Sequence, residues 1–278
     1  MTDSADSRPP LDTTKLPDLL GDPIRLAYAV EALASTDSTN RVVADRARAG
    51  APEGLVVVAE AQTAGRGRLA RTWETPPGAA LTFSVLLRPK HRPEEWPWLS
   101  LLAAIGVARG LTSLGLPGLG VAEVGVKWPN DVLVWDHGVE RKVAGLLLER
   151  VETDRGPAAV LGIGINIDQT SAELPVPTAT SLRLVTEGTV SRLDVLAAVL
   201  RAWDDEYVAS HSDGHTLRAG YRQWCRTLGQ QVRVELPASA PLVGEAVDID
   251  RFGRLLVRHT EGETAVAAGD VVHVRPAR

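Results

Sequence analysis

Val124-Gly125-Val126-Lys127-Trp128-Pro129-Asn130-Asp131-Val132-Leu133-Val134-Trp135 is the stretch that decides the fold class. Two β-favouring runs, 124–128 and 132–135, flank Pro129-Asn130, which signals a turn. His137-Gly138-Val139-Glu140 is a second hairpin connection, leading into the apolar run 142–151, and 158–167 follows as another strand. Outward from this core, 28–33, 55–60 and 81–87 read as strands. Helical composition marks 41–49, which ends at Gly50, and helical apolar spacing marks 96–114, which stops at Gly115. A second long helix covers 192–209, with Ser191 and Asp194 as a capping box, and a shorter one covers 217–225. Strands in hairpins with helices on one face predict an α+β mixed sheet, not a doubly wound α/β fold. After Gly229 come five short β-type runs at 232–236, 243–249, 255–259, 264–267 and 271–274. Turn residues separate them, which predicts a small barrel. The expected organisation is a polar tail over 1–22 with one short helix, a large α+β domain over 23–227 and the barrel over 228–278.

Apolar residues make up 44% and charged residues 23% of the 278, as in an ordinary soluble globular protein. The net charge of -5 argues against a general nucleic-acid binder, which would show a basic excess. The lone Cys225 cannot form an intrachain disulfide, and its neighbours supply neither a base nor a metal partner. No apolar signal region follows the acidic N-terminus, and the longest apolar stretch, 99–107, is too short to span a bilayer. A reduced, cytoplasmic protein is the expectation. Only four of the 30 basic residues are lysines: Lys15, Lys90, Lys127 and Lys142.

Five segments carry chemistry. Gly65-Arg66-Gly67-Arg68 alternates glycines, which permit close backbone approach, with planar guanidinium forks that grip anions in pairs. Ser38-Thr39-Asn40 is a helix N-cap, or a set of polar groups holding a ligand head at a helix N-terminus. Gln62 adds donors and an acceptor at a strand end, while Arg71 and Trp73 follow the glycine-arginine loop. Lys127-Trp128-Pro129-Asn130-Asp131 is turn chemistry beside a buried tryptophan, or a strand end that presents Asn130 and Asp131 to a cleft. Lys142, opening Lys142-Val143-Ala144-Gly145, either snorkels to solvent or holds a point charge over a phosphate. In Gly162-Ile163-Gly164-Ile165-Asn166 the glycines mark a bulge or a close approach.

Taken in order, Ser-Thr-Asn, Gln-x-x-Gly-Arg-Gly-Arg, Lys-Trp-Pro-Asn-Asp, Lys-x-Ala-Gly and Gly-x-Gly-x-Asn resemble the biotin protein ligases over residues 30 to 275. The resemblance implies a class II synthetase-like catalytic domain, related to lipoate ligases, that binds biotin and ATP, followed by an SH3-like barrel. It implies synthesis of biotinyl-5′-AMP from biotin and ATP with Mg²⁺, then transfer of biotin to a lysine of a biotin carboxyl carrier domain of a biotin-dependent carboxylase. Carried over by position, Ser38, Thr39, Asn40 and Gln62 would bind the biotin head. Gly65, Arg66, Gly67 and Arg68 would fold over its tail, with Lys142 and Gly145 beside its carboxylate. Arg71, Trp73 and Lys127 would meet ATP, with Asn130, Gly164 and Asn166 framing the nucleotide. The catalytic set would be Lys142, Arg68 and Asp131, with Asp131 orienting or deprotonating the acceptor amine, and no side chain is assigned to a metal.

Two departures stand out. Ala70 occupies a position where family members often carry glycine, at a cost of about 1 kcal/mol if φ is positive there. Only 37 residues precede Ser38, too few for the winged helix-turn-helix of members that also act as repressors, so no DNA partner is expected. The alternatives are a lipoate or octanoate ligase on the related fold and a biotin-sensing repressor.

Overall fold

Strand Ala80–Leu87 is buried at every one of its positions, so packed layers must cover both faces of the sheet that contains it. The computed structural model describes residues 8–186, 189–210, 214–236, 240–267 and 269–273. The chain runs through α1 (Leu16–Leu20), β1 (Ala29–Leu33), α2 (Thr39–Arg48), β2 (Leu55–Ala59), β3 (Ala80–Leu87) and α3 (Pro97–Ser113). It continues through β4 (Val124–Lys127), β5 (Asp131–Asp136), β6 (Val139–Val151), β7 (Ala158–Asn166), α4 (Leu182–Val185), α5 (Arg192–Ala209) and α6 (Gly214–Trp224). Five strands follow: β8 (Gln231–Glu235), β9 (Leu242–Ile249), β10 (Leu255–His259), β11 (Gly262–Val266) and β12 (Asp270–His273).

The first seven strands form one sheet in the order β1-β2-β3-β7-β6-β5-β4. β1 pairs with β2 in parallel and every other pair is antiparallel, so the expected mixed α+β sheet is present. Its helices cover both faces rather than the single face expected. Val43 and Ala47 of α2 pack on Leu55, Val57, Leu86 and Val160. On the opposite face Leu81, Phe83, Val85 and Ile163 join the core with α3 and α5. The physical sign was present in 55–59, Leu-Val-Val-Val-Ala, which is apolar without a break and buried at every position.

The last five strands form an antiparallel sheet in the order β11-β10-β9-β8-β12. Among the described residues no ladder joins β11 to β12, so the expected barrel is here an open sheet; Val274 of the last expected run lies outside the described residues. Tryptophans fasten this sheet to the larger layer. Trp128, fully buried, donates from Nε1 to the Gly253 carbonyl at 3.0 Å, and Trp98 Nε1 donates to the Arg251 carbonyl at 3.1 Å.

The segment read as a polar tail is docked from residue 8 onward, while residues 1–7 lie outside the described residues. Leu16 and Leu20 are buried in the main core. The Leu11 N–H donates to Glu60 at 2.6 Å, and Arg8 pairs with Asp168 at 3.0 Å and Glu173 at 2.9 Å. Glu60 and Asp168 lie two residues from Gln62 and Asn166, so the segment braces two strand ends that carry motif residues.

The Arg8 guanidinium, by hydrogen bonding, pulls the Glu173 carboxyl down to about 2 from its usual 4.5. A carboxyl with a depressed folded-state pKa stabilises the fold fully above the unfolded value and loses that contribution as pH falls toward the folded one. Arg8→Gln is therefore expected to lower the urea midpoint at pH 7, with the difference from the unaltered chain shrinking between pH 4.5 and 2. A second substitution, Trp128→Phe, keeps most of the packing but orphans the Gly253 carbonyl. It should cost about 1 kcal/mol in urea unfolding.

Candidate active site

The pleat of the large sheet builds the floor. Thr82 of β3 stands opposite Gly164 of β7, Gly164 opposite Gly145 of β6, and Gly145 opposite Asp131 of β5. These four residues form one row on one face. A parallel row contains Ser84, Gly162 and Leu147. The two central glycines are required by what lies above them. A Cβ on Gly164 would fall 2.5 Å from Trp73 Cε2, and one on Gly145 would fall 3.0 Å from Trp73 Cζ3. The Trp73 ring thus rests on bare backbone, with its Nε1–H buried and without a partner among the described residues.

Lys142 reaches this face because β6 is bulged. Val132 pairs with Ala144 and Leu133 with Lys142, so Val143 is the extra residue. Without the bulge, Lys142 and Gly145, three residues apart, would face opposite sides. With it, Lys142 Nζ sits 5.7 Å from the Trp73 ring centre and 2.6 Å from Asp131 Oδ1.

Gly65 to Trp73 forms a hairpin lid over the cleft. Gly67 N donates to the Arg71 carbonyl at 2.7 Å and Trp73 N to the Gly65 carbonyl at 2.9 Å. A Cβ at Gly65 would lie 2.3 Å from the Trp73 carbonyl oxygen, which explains the glycine. The tip turns through Leu69 at φ 55° and Ala70 at φ 58°, so the alanine does occupy a left-handed position. Immediately after it, Arg71 is aimed at Asp270 of the C-terminal sheet at 2.5 Å, and that hydrogen bond raises its pKa. Arg66 pairs with Glu149 at 2.9 Å. Arg68 makes a long contact of 3.4 Å to Asn130 Oδ1, and burial lowers its pKa.

At the other end of the cleft stands the N-terminus of α2. Ser38 occupies the N-cap position, yet its hydroxyl makes no cap bond. Gln62 Oε1 instead accepts from Thr39 N at 2.8 Å and lies 3.1 Å from Thr39 Oγ1. The Asp37 carboxylate, accepting from Ser38 N, is held below the usual carboxylate range.

One cleft gathers most of the residues picked from the sequence, from Ser38, Thr39 and Gln62 at one end to Lys127, Asn130, Asp131 and Lys142 at the other. Three picks behave differently. Gly65 shapes the lid base and does not line the cleft. Asn166 is buried and spends both ends of its amide inside the protein, on the Thr180 carbonyl at 2.9 Å and on Gln169 at 2.9 Å. These bonds anchor the 166–180 connection. Asn40 edges the cleft, but its amide is turned to Ser84 and Glu149. Buried amides take such partners because an unpaired polar group there is costly. Sequence reading missed Asp270, which no local pattern marks. It also missed Ser84, one of two hydroxyl residues in its strand, and Glu149, an acid at the end of an apolar run.

Two family profiles match the chain: the "Biotin/lipoate A/B protein ligase family" over residues 32–166 and the "Biotin protein ligase C terminal domain" over residues 227–274. The chain is 38% identical over 278 residues to the biotin--[acetyl-CoA-carboxylase] ligase of Mycobacterium tuberculosis, covering 99% of this chain and 100% of that protein. Its structure is similar to biotin protein ligase from Aquifex aeolicus in complex with biotin and ATP, with a TM-score of 0.72, 27% identity, and coverage of 88% of this chain and 98% of that one. It is also similar to biotin protein ligase from Leishmania major in complex with biotinyl-5-AMP, with a TM-score of 0.57, 25% identity and coverage of 86% and 98%. With its motif order, its two-sheet architecture and a full-length relative in agreement, the chain belongs to the biotin protein ligase family.

Proposed function

We infer that this chain joins biotin to ATP, forming biotinyl-5′-AMP and releasing pyrophosphate, and then transfers biotin to a lysine of a carrier domain of a biotin-dependent carboxylase. The observation that carries this reading is the polarity of the cleft. One end offers uncharged hydrogen-bonding groups, Ser38, Thr39 and Gln62, and the other offers the cations Arg68, Arg71 and Lys142. A ligand with a neutral polar head and an anionic tail fits that order.

In the first step a biotin carboxylate oxygen bonds to the α-phosphorus as the bond to pyrophosphate breaks. No proton moves, so the chemistry needs charge neutralisation and alignment more than a base. Lys142 can serve both anions by leaving Asp131, with which it is paired at 2.6 Å. Arg68, already desolvated, gains most from an incoming anion. Arg71 exchanges Asp270 for the triphosphate. Trp73 lies on the Gly145–Gly164 floor as a flat surface for the adenine, with Lys127 and Asn130 at the rim. Asp131 and Asp270 are the carboxylates of the cleft, and no three His, Cys, Asp or Glu side chains cluster among the described residues. That donor set suits Mg²⁺ carried on ATP phosphates, where it offsets their charge.

In the second step the acceptor amine nitrogen attacks the acyl carbon and AMP leaves. One amine proton must be lost, and we assign to Asp131 the role of orienting the amine or taking that proton. No helix among the described residues is long and apolar enough to cross a membrane. A cytoplasmic location, with no DNA partner, completes the reading.

Pyrophosphate exchange into ATP should depend on biotin; exchange with lipoate or octanoate and not with biotin would refute the assignment. Asp131→Ala should leave this exchange largely intact while slowing transfer from preformed biotinyl-AMP, and transfer at the unaltered rate would dismiss its role in the second step. Gly164→Ala pushes a methyl into the Trp73 ring, and should raise the KM for ATP by about tenfold, a loss near 1.4 kcal/mol.

A further inference from the structure

Behind the head end of the cleft runs a chain of short polar contacts that reaches the lid. Gln62 Oε1 lies 3.1 Å from Thr39 Oγ1, Thr39 Oγ1 lies 2.7 Å from Ser84 Oγ, and Ser84 Oγ lies 2.6 Å from Asn40 Oδ1. Asn40 Nδ2 then donates to Glu149 Oε2 at 2.6 Å, and the same carboxylate oxygen accepts from Arg66 at 2.9 Å. Thr39, Asn40 and Ser84 are buried. The site of Asn40 depends on Gly162, where a Cβ would fall 2.2 Å from Asn40 Oδ1.

Counting protons gives the chain a direction. Three oxygen–oxygen contacts link Gln62, Thr39, Ser84 and Asn40, but only two hydroxyl protons are available. Glu149 accepts only, so it holds the Asn40 amide with its nitrogen outward and its oxygen toward Ser84. The 2.6 Å contact then requires Ser84 to donate to Asn40, and the 2.7 Å contact requires Thr39 to donate to Ser84. The contact left without a proton is the longest, Thr39 to Gln62, and Gln62 Oε1 already accepts from Thr39 N at 2.8 Å. Thr39 and Gln62 therefore both turn lone pairs to the cleft.

We propose that Glu149 is a positioning residue which, through Asn40 and Ser84, fixes the Thr39 hydroxyl as an acceptor, so that the cleft selects a head group that presents N–H donors, and which couples that selection to the lid at Arg66. The inference rests on the ligase reading, in which the head is the cyclic urea of biotin. Removing Glu149 leaves the Asn40 Nδ2 only its longer 3.3 Å contact to the Leu147 carbonyl, which loosens the amide and with it the direction of the Thr39 proton. Thr39 then donates or accepts according to the ligand, and selection for N–H over a bare oxygen is lost.

The test measures binding to the full chain by calorimetry, with biotin and with its two analogues in which one ring N–H is replaced by oxygen. Glu149→Ala and Ser84→Ala should each reduce the preference for biotin over the better-discriminated analogue by about tenfold. Glu149→Gln, which keeps an acceptor oxygen in place, should retain most of it. The double Ala variant should lose no more than either single one, because both cut the same chain. Equal weakening of biotin and analogues, additive losses, or a Gln variant as poor as the Ala variant would overturn the positioning role while leaving the ligase assignment standing. Failure of the unaltered chain to bind biotin would instead overturn that assignment and this proposal with it.

Discussion

The pairing of β7 between β3 and β6 is the constraint on which the rest of this molecule depends. It aligns Thr82, Gly164, Gly145 and Asp131 in one row, and Ser84, Gly162 and Leu147 in the next. Where the rows lack side chains, Trp73 and Asn40 settle against backbone. A shift of one residue in either ladder would turn the glycines to the opposite face and put apolar side chains beneath the lid. The close-packed apolar layers behind the sheet make that register non-negotiable, since α3 and α5 bury the alternate residues.

Three cations of the cleft are each held by a carboxylate. Lys142 rests on Asp131, Arg66 on Glu149 and Arg71 on Asp270. Gathering these cations without counter-charges would be costly in a partly desolvated cleft. On the proposed reading, exchange of one anion for another keeps Lys142 and Arg71 paired throughout, so substrate binding meets a smaller desolvation cost. Arg68 lacks a carboxylate partner at ion-pair distance among the described residues, and burial lowers its pKa. Asp270 also gives the C-terminal sheet a direct hand in the site, an arrangement fastened by the Trp128 bond to Gly253.

Much of the site was legible because its residues sit in short motifs at strand ends, where sequence neighbours are also neighbours in space. Lys127 to Asp131 is the clearest case, a turn whose residues reach the cleft together. Ala70 was legible too, as a side chain at a turn that asks for positive φ. The partners of Asn166 were not legible for the opposite reason: its motif is a strand end, and the following segment folds back and satisfies its amide. Ser84 and Glu149 look like scatter until β3 and β6 bring them within reach of α2.

By itself, the sequence determined the strand and helix order, the antiparallel hairpins, the cationic lid and the family, because each is written in local periodicity or in contiguous motifs. Only the tertiary structure decided which way those groups point. The bulge at Val143 turns Lys142 into the cleft, β-sheet register places glycines under Trp73, and a count of hydroxyl protons across three separate elements makes Thr39 an acceptor. Orientation is a property of pairing between distant segments, and no single segment carries it.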